Sequence, residues 1–482
     1  MEWIRHPGPA LAAAALLLAG GCGGPARDEY APDGRLIVDY WEKWTGFEAE
    51  AMQAVVDDYN ASQRRVFVRK LTVSQIDRKL MLACAGGNPP DLAGIWSANI
   101  PNFSEKNALL PLDRLLAAAG IGRTNYIPVF WDNCVHRGFI WALPTTPATV
   151  ALHWNKALFR EAGLDPDRPP RSLDELDAMA ERLTVVEVVR TGRTVRVRFP
   201  ELTPAERAAS GFRLVQVGHL PQEPGWWLTL WPYWFGGQLW DGERRLTATN
   251  AANVVCFAWF RRYAEKYGVD NVRAFGASFG NFSSPQNPFL AGKVAMELQG
   301  VWMYNFIHMY APDLEWDAAP FPSADPARLP DVTVAESDVL VIPRGARHVA
   351  EAFDFLRYVS TPGPMEKLNR GQLKFSPLAV LSPSFVTNHP NPRIRLFMDL
   401  ARSPNARTVP RTAIWTAYGE ELGVAADRVR SLQAAPAVAL ADAQARTQPK
   451  FDRLWQRWDL VKDERLGEWS STAARRPSGL PP

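Results

Sequence analysis

The sequence predicts an α/β protein with room for two lobes and a helical C-terminal part. Three observations carry this prediction: a chain of 482 residues, a strand–helix–strand–helix–strand succession near its start, and a separate strand-and-helix stretch after Ser337. A chain of that length exceeds one simple core. Hydrophobic residues are 47% and charged residues 22%, the balance of a soluble globular protein. The formal net charge of +3 comes from dispersed Lys and Arg, which argues against a nucleic-acid partner. Tryptophan is the compositional outlier, at 19 copies.

The first segment lies outside the fold. Ala10–Ala19 (ALAAAALLLA) is an apolar run of signal-peptide length, too short for a permanent span. Arg5 precedes it and Gly20-Gly21-Cys22 follows it. Residues 1–22 therefore read as a signal and 23–34 as a tether. Leu36–Tyr40 (LIVDY) is a strand. The next segment carries Met52, Val55, Val56 and Tyr59 on one helical face. Val66–Leu71 alternates as a second strand. Ser74 is placed to cap a helix with Ile76, Leu80, Ala83 and Cys84 inward. Gly86-Gly87-Asn88-Pro89-Pro90 stops it, and Asp91–Trp96 (DLAGIW) is a third strand. That alternation means a parallel sheet with helices on its faces. Ligands of such sheets lie beyond the strands' carboxyl ends, here Trp41–Phe47 and Trp96–Asn99.

Further on, Ser172-Leu173-Asp174-Glu175 is a capping box opening a helix with Leu176, Ala180 and Leu183 inward. Val185–Phe199 alternates Val with Arg and Thr, a hairpin turning at Thr191-Gly192. Asn250–Tyr267 and Pro288–Met296 read as helices. Ser337–Pro343 is a strand and Val349–Val359 a helix. From Thr412 to about Asp463 the chain reads as helical. Residues 466–482 form a disordered tail, Pro/Arg/Ser-rich from Ser470 onward.

Enzyme signatures are sparse. No H-x-x-x-H pair supports a zinc hydrolase, and no C-x-x-C supports a zinc ribbon or redox motif. Gly276-Ala277-Ser278-Phe279-Gly280 matches G-x-S-x-G. A polar loop follows it, where a nucleophile elbow needs a helix. No phosphate-binding glycine loop occurs, and no metal site, cofactor or catalytic residue is predicted. Cys84, Cys134 and Cys256 remain beside Cys22. Cys84–Cys134 is the candidate disulfide, with three buried free thiols as the alternative.

Four blocks, in order, resemble the family 1 extracellular solute-binding proteins, the sugar-binding lipoproteins of ABC importers. The first is Ala85-Gly86-Gly87-Asn88-Pro89-Pro90-Asp91 with Ala108-Leu109-Leu110-Pro111-Leu112-Asp113. The second is Trp141-Ala142-Leu143-Pro144, then His153–Phe159 and Glu161–Leu164. The third is Phe289–Met296, closing on Gly300-Val301-Trp302. The fourth is Ile342–Gly345 with Ala352–Leu356. The resemblance implies a two-lobed type II periplasmic-binding-protein fold with a hinge and an interlobe ligand cleft. Lobe 1 would take residues 35–147 and 344–383, and lobe 2 residues 148–336 and 384–465. The chain would cross between them near Thr145–Val150, Glu336–Pro343 and Leu381–Phe385. It also implies an exported monomer, lipidated at Cys22 and so held to the membrane, that serves ABC permease subunits. A plain secretory signal is the alternative to lipidation.

A sugar offers an apolar face and a rim of hydroxyls. Indoles stack on the face at small entropic cost, and charged or amide groups bind the rim. The expected first-lobe ligand residues are Glu42, Lys43 and Trp44 after strand one, and Trp96 and Asn99 after strand three. Thr146 stands at the first crossing. In the stretch Trp226–Gly237 (WWLTLWPYWFGG), Trp226 falls where similar binders place an aromatic platform, and the remaining rings read as core. Trp302 matches a family tryptophan that stacks on sugar. Ser337 and Lys374 are further polar candidates, with Asp338 beside Ser337. The expected ligand is therefore a mono- or oligosaccharide. An exported carbohydrate-active enzyme and a binder of a non-sugar solute such as a polyamine are the alternatives.

Overall fold

A computed structural model describes residues 29–208 and 211–474. The signal, Cys22 and the last eight residues of the tail lie outside the described residues. The first strand, Leu36–Glu42, buries Ile37, Val38, Asp39 and Tyr40 in succession. Such a run fits a strand covered on both faces. Helix Gly46–Ser62 covers one face through Met52, Val55, Val56 and Tyr59. Val66–Thr72 and Leu92–Trp96 flank the first strand in parallel, as the alternation predicts.

Two long strands then organise the molecule. Ala142–Asn155 and Thr333–Val341 run antiparallel to one another. Their inner halves, with Asp338–Val341 against Leu92–Trp96, complete the first-lobe sheet. The opposite half of Ala142–Asn155 pairs with Met296–Gly300 and Trp316–Ala319, and Thr333–Val334 pairs with Ala406–Arg407. One continuous eight-stranded sheet therefore passes through both lobes. Each lobe has its own core. The first gathers Val38, Tyr40, Trp141, Leu340 and Phe355. The second gathers Trp154, Trp231, Trp234, Trp259 and Phe260. A smaller cluster with Ile127, Ala151, Ala335 and Phe397 packs against the long strands between them.

Local signals hold where the chain satisfies itself. The Ser172 hydroxyl accepts from the Glu175 amide, and Asn250 caps Ala251–Tyr267 by accepting from Ala252. The predicted hairpin is Val185–Arg190 with Arg193–Arg198. It turns on Thr191 and Gly192, both at positive φ as a two-residue hairpin turn requires. Phe212–Gln216 adds a third strand.

Several expectations need correction. Ser74 is not a cap: the helix starts at Ile76 behind a left-handed Gln75, and Ser74 instead accepts from Lys79. Pro288–Met296 is not a helix. It turns through Pro288–Lys293 and delivers Met296 to an edge strand against Trp154. Cys84 and Cys134 are not bonded. Each thiol lies against a different backbone carbonyl, Ala108 and Phe130, and Cys256 is free as well. The tail assignment also fails over 466–474, because helix Pro436–Ala474 runs through it. That helix starts in the second core with Ala439, Leu440, Ala443 and Phe451, then enters the first with Trp458 and Trp469. Residues up to 465 therefore do not all belong to the second lobe. The Trp469 indole stands edge-on to Trp141 at 4.8 Å and donates to Asn107.

Trp469→Ala should lower unfolding stability by about 3–5 kcal/mol, read from urea denaturation, because it empties a fully buried site. Alkylation of the unfolded, unreduced protein should label Cys84, Cys134 and Cys256.

Candidate functional site

Side chains alternate along a strand. Every residue of Ala142–Asn155 is buried except the half-buried Ala148, and every residue of Thr333–Val341 is buried except Glu336. These two are paired opposite one another. The hinge sheet therefore opens toward solvent at one point. The same face carries Thr146 and Asp338 on the first-lobe side and Val150 on the second. Thr146 to Val150 is four residues, about 13 Å along a strand.

The first-lobe wall is built where three parallel strands end. The Lys43 side chain is 4% exposed, with Nζ 3.1 Å from Asp338 and 3.4 Å from Glu42. It also lies 4.8 Å from the Trp44 ring centre and 5.2 Å from that of Trp96, which meet edge to face. Burial opposes the ammonium charge, but Asp338 and Glu42 outweigh it and hold Lys43 above the ordinary lysine range. The Asp338 carboxylate also accepts from Trp44 Nε1 at 3.1 Å and Thr146 Oγ1 at 2.5 Å. Glu42 accepts from the Tyr40 hydroxyl and the Lys43 amide. Gly94 makes room for it: a Cβ there would sit 2.2 Å from Glu42 Oε2. Lys374 lies 5.0 Å from the Trp44 ring centre on its own ion pair with Glu48 (2.6 Å).

The second-lobe wall is aromatic. Gly300 pairs with Val150, and the Trp302 ring lies over Gly300 so closely that a Cβ there would meet it at 2.3 Å. Trp226 and Trp227 each approach Trp302 at 5.9 Å between ring centres. Phe282 stands 4.4 Å from Trp226, edge on. Trp227 donates to the Leu298 carbonyl, which fixes its plane. Trp226 is 48% exposed and Trp96 41%.

Between the walls, Glu336 accepts from the Ser97 hydroxyl at 2.6 Å and the Val409 amide at 2.7 Å. Burial pushes its carboxyl up to about 7. The structure thus brings together Glu42, Lys43, Trp44, Trp96, Thr146 and Lys374 on one side, and Trp226 and Trp302 on the other. Glu42, Lys43 and Lys374 are buried and internally paired, so they support the indoles. Asn99 bonds the Asp77 carboxyl, which in turn feels the Lys43 charge, so it stands behind the same wall. Ser337 is not in the group, since alternation turns it to the reverse face from Asp338, where it is buried. The sequence places Trp227 in the core and Ala148 and Glu336 at crossings, and singles out none of these, nor Phe282, as a site residue. Trp227 had a visible signal, the Trp226-Trp227 doublet. Glu336 had none, because its place depends on strand pairing.

The family model for bacterial extracellular solute-binding proteins matches residues 48–366. The mannotriose-bound CpMnBP1 superposes with a TM-score of 0.70 at 25% identity, over 85% of this chain and 99% of its own. The sugar-binding protein MalE of Xanthomonas citri superposes with a TM-score of 0.69 at 18% identity, over 88% and 99%. The sn-glycerol-3-phosphate-binding protein UgpB of Pectobacterium atrosepticum is 20% identical over 146 residues, 29% of this chain and 33% of its own length. The chain thus spans about a third of the length of such curated relatives. The two superpositions share the two-lobed fold.

Lys43→Met should cost about 3–5 kcal/mol in urea denaturation, since it leaves Asp338 and Glu42 buried without their cation. Glu336 keeps its proton in the folded chain over a range where the unfolded chain has lost it. Its stabilisation is complete below about pH 4.5 and is lost as pH rises toward about 7. Glu336→Gln should therefore flatten the fall of the melting temperature across that range.

Proposed function

The chain belongs to the bacterial extracellular solute-binding protein family, and we propose that it grips a mono- or oligosaccharide between its lobes and delivers it to the permease of an ABC importer. One observation supports this reading: exposed indoles stand on both lobes and each is tied to the two-stranded hinge, Trp96 by pairing with Asp338 and Trp226 by packing on Trp302, whose ring covers Gly300 opposite Val150. Flat apolar plates suit the faces of pyranose rings. The Asp338–Lys43–Thr146 network beneath them is paired internally and holds Trp44 in place. Closing the lobes would exclude water and strengthen the polar bonds made at the rim. The oligosaccharide in CpMnBP1 favours the same class of ligand.

The protein would work outside the cytoplasm as a monomer, held to the membrane by lipid on Cys22. Sugar contact would fall to Trp96, Trp226 and Trp302, with Trp44 and Thr146 at the edge. Glu42, Lys43 and Lys374 would act by holding Trp44 and Trp96.

Calorimetric titration with mannotriose and with sn-glycerol-3-phosphate tests this reading. The trisaccharide should bind saturably and be recovered intact by chromatography. Trp302→Ala should cost about 1–3 kcal/mol of that binding, by analogy with other stacking platforms. Gly300→Ala should weaken binding through displacement of the Trp302 ring. Unchanged affinity in both variants, or binding of the glycerol phosphate alone, would overturn the assignment.

A further inference from the structure

A cavity of about 840 Å³ lies beside the hinge, where Ala406–Arg407 pairs with Thr333–Val334. None of the groove residues lines it. Glu336 marks the boundary between the two, because Val409, which donates to it, lines the cavity. The walls come from both lobes. Arg123, Ile127 and Asp132 contribute from the first-lobe segment around Tyr126, which bridges to Leu378. Tyr233, Leu239 and Trp240 contribute from the second lobe, and the segment from Ala401 to Arg411 joins them.

The charge of this lining is one-sided. Arg123, Arg402, Arg407 and Arg411 line the cavity, against the single carboxylate of Asp132. Asp132 is already engaged by Arg123 through two bonds of 2.9 and 2.8 Å. Arg402, Arg407 and Arg411 make no ion pair among the described residues. Their hydrogen bonds go to neutral oxygens. Arg402 donates to the Met398 carbonyl and Arg407 to the Pro404 carbonyl and Asn405 Oδ1. Arg411 donates to the Asp132 backbone oxygen. A guanidinium has five N–H donors, and these contacts use one or two. Like charges gathered in a concave site attract a counter-ion, and forked guanidinium groups match carboxylate and phosphate. Ile127, Val129, Leu239 and Ala401 supply apolar wall, and the volume exceeds that of a bare inorganic ion.

We infer that this cavity is a second binding site, for a multivalent organic anion bearing carboxylate or phosphate groups, and that its occupant bridges the two lobes. This goes beyond the carbohydrate reading and does not depend on it. A ligand that touches both lobes is linked to any ligand that changes their angle. The anion therefore modulates affinity in the groove.

The test uses the full mature chain in calorimetry, with citrate and inorganic pyrophosphate as probes and acetate as the monovalent control. The expected result is saturable binding of at least one multivalent probe. Arg402→Gln/Arg407→Gln should weaken it at least tenfold, while leaving the melting temperature and probe-free mannotriose affinity unchanged. Saturating probe should shift mannotriose affinity at least threefold in the wild type and not in the double variant. No saturable binding, wild-type affinity in the double variant, or binding of a polyglutamate peptide but neither small probe would overturn the site. Equal mannotriose affinity with and without bound probe would overturn the bridging. The probe arms contain no sugar, so failure of the carbohydrate reading leaves a separate result.

Discussion

A lysine ammonium held out of water fixes the first wall of the groove. Lys43 is buried where four segments converge, and its neighbours come from each: Glu42, Trp96, Thr146 through Asp338, and Asp338 itself. A charge taken from water is costly unless its partners are close and well placed. Here the partners also include two ring faces. Any shift of one strand end would uncover the ammonium, so the strand ends hold one another in place. Trp44 and Trp96 gain a defined posture from this, which a loop alone would not supply.

The hinge has a corresponding economy. Two antiparallel strands carry the sheet from one core to the other, and of their residues only Ala148 and Glu336, which pair, are less than fully buried. Bending there changes the angle between the walls without exposing either core. The long C-terminal helix is a further link. Its Trp455 ring lies 4.1 Å from the Arg137 guanidinium of the first lobe and 4.4 Å from that of Arg244 in the second. Pro449, inside the helix between its two attachments, lacks an N–H donor and leaves a soft point in the backbone. Lobe rotation has to be accommodated at this helix as well as in the strands.

The two cavities differ in chemistry in a way that follows from their walls. The groove presents rings whose polar supports are already paired internally, which suits a neutral, flat-faced guest. Beside the Arg123–Asp132 pair, the hinge cavity presents three guanidinium groups held by neutral oxygens, which suits a charged one. Glu336 stands between them, bound to Ser97 of the first lobe and Val409 of the crossing segment.

Much of this was legible locally. Strand and helix positions in the first hundred residues follow from side-chain period and breakers. The caps at Ser172 and Asn250 and the Thr191-Gly192 turn follow from bonds made within a few residues. The clustering of Trp44 with Trp96 was approachable because both follow parallel strands. What the sequence could not decide is which rings are covered. Trp226 is half exposed while Trp231, five residues on, is fully buried. Trp469 looked like the edge of a tail, yet it closes the first core against Trp141. The separate thiols of Cys84 and Cys134, the setting of Glu336 and the meeting of Arg123 with Arg407 are of the same kind. Local patterns are set by neighbours a few residues apart, whereas exposure and charge crowding depend on segments hundreds of residues away, and only the assembled packing brings those together.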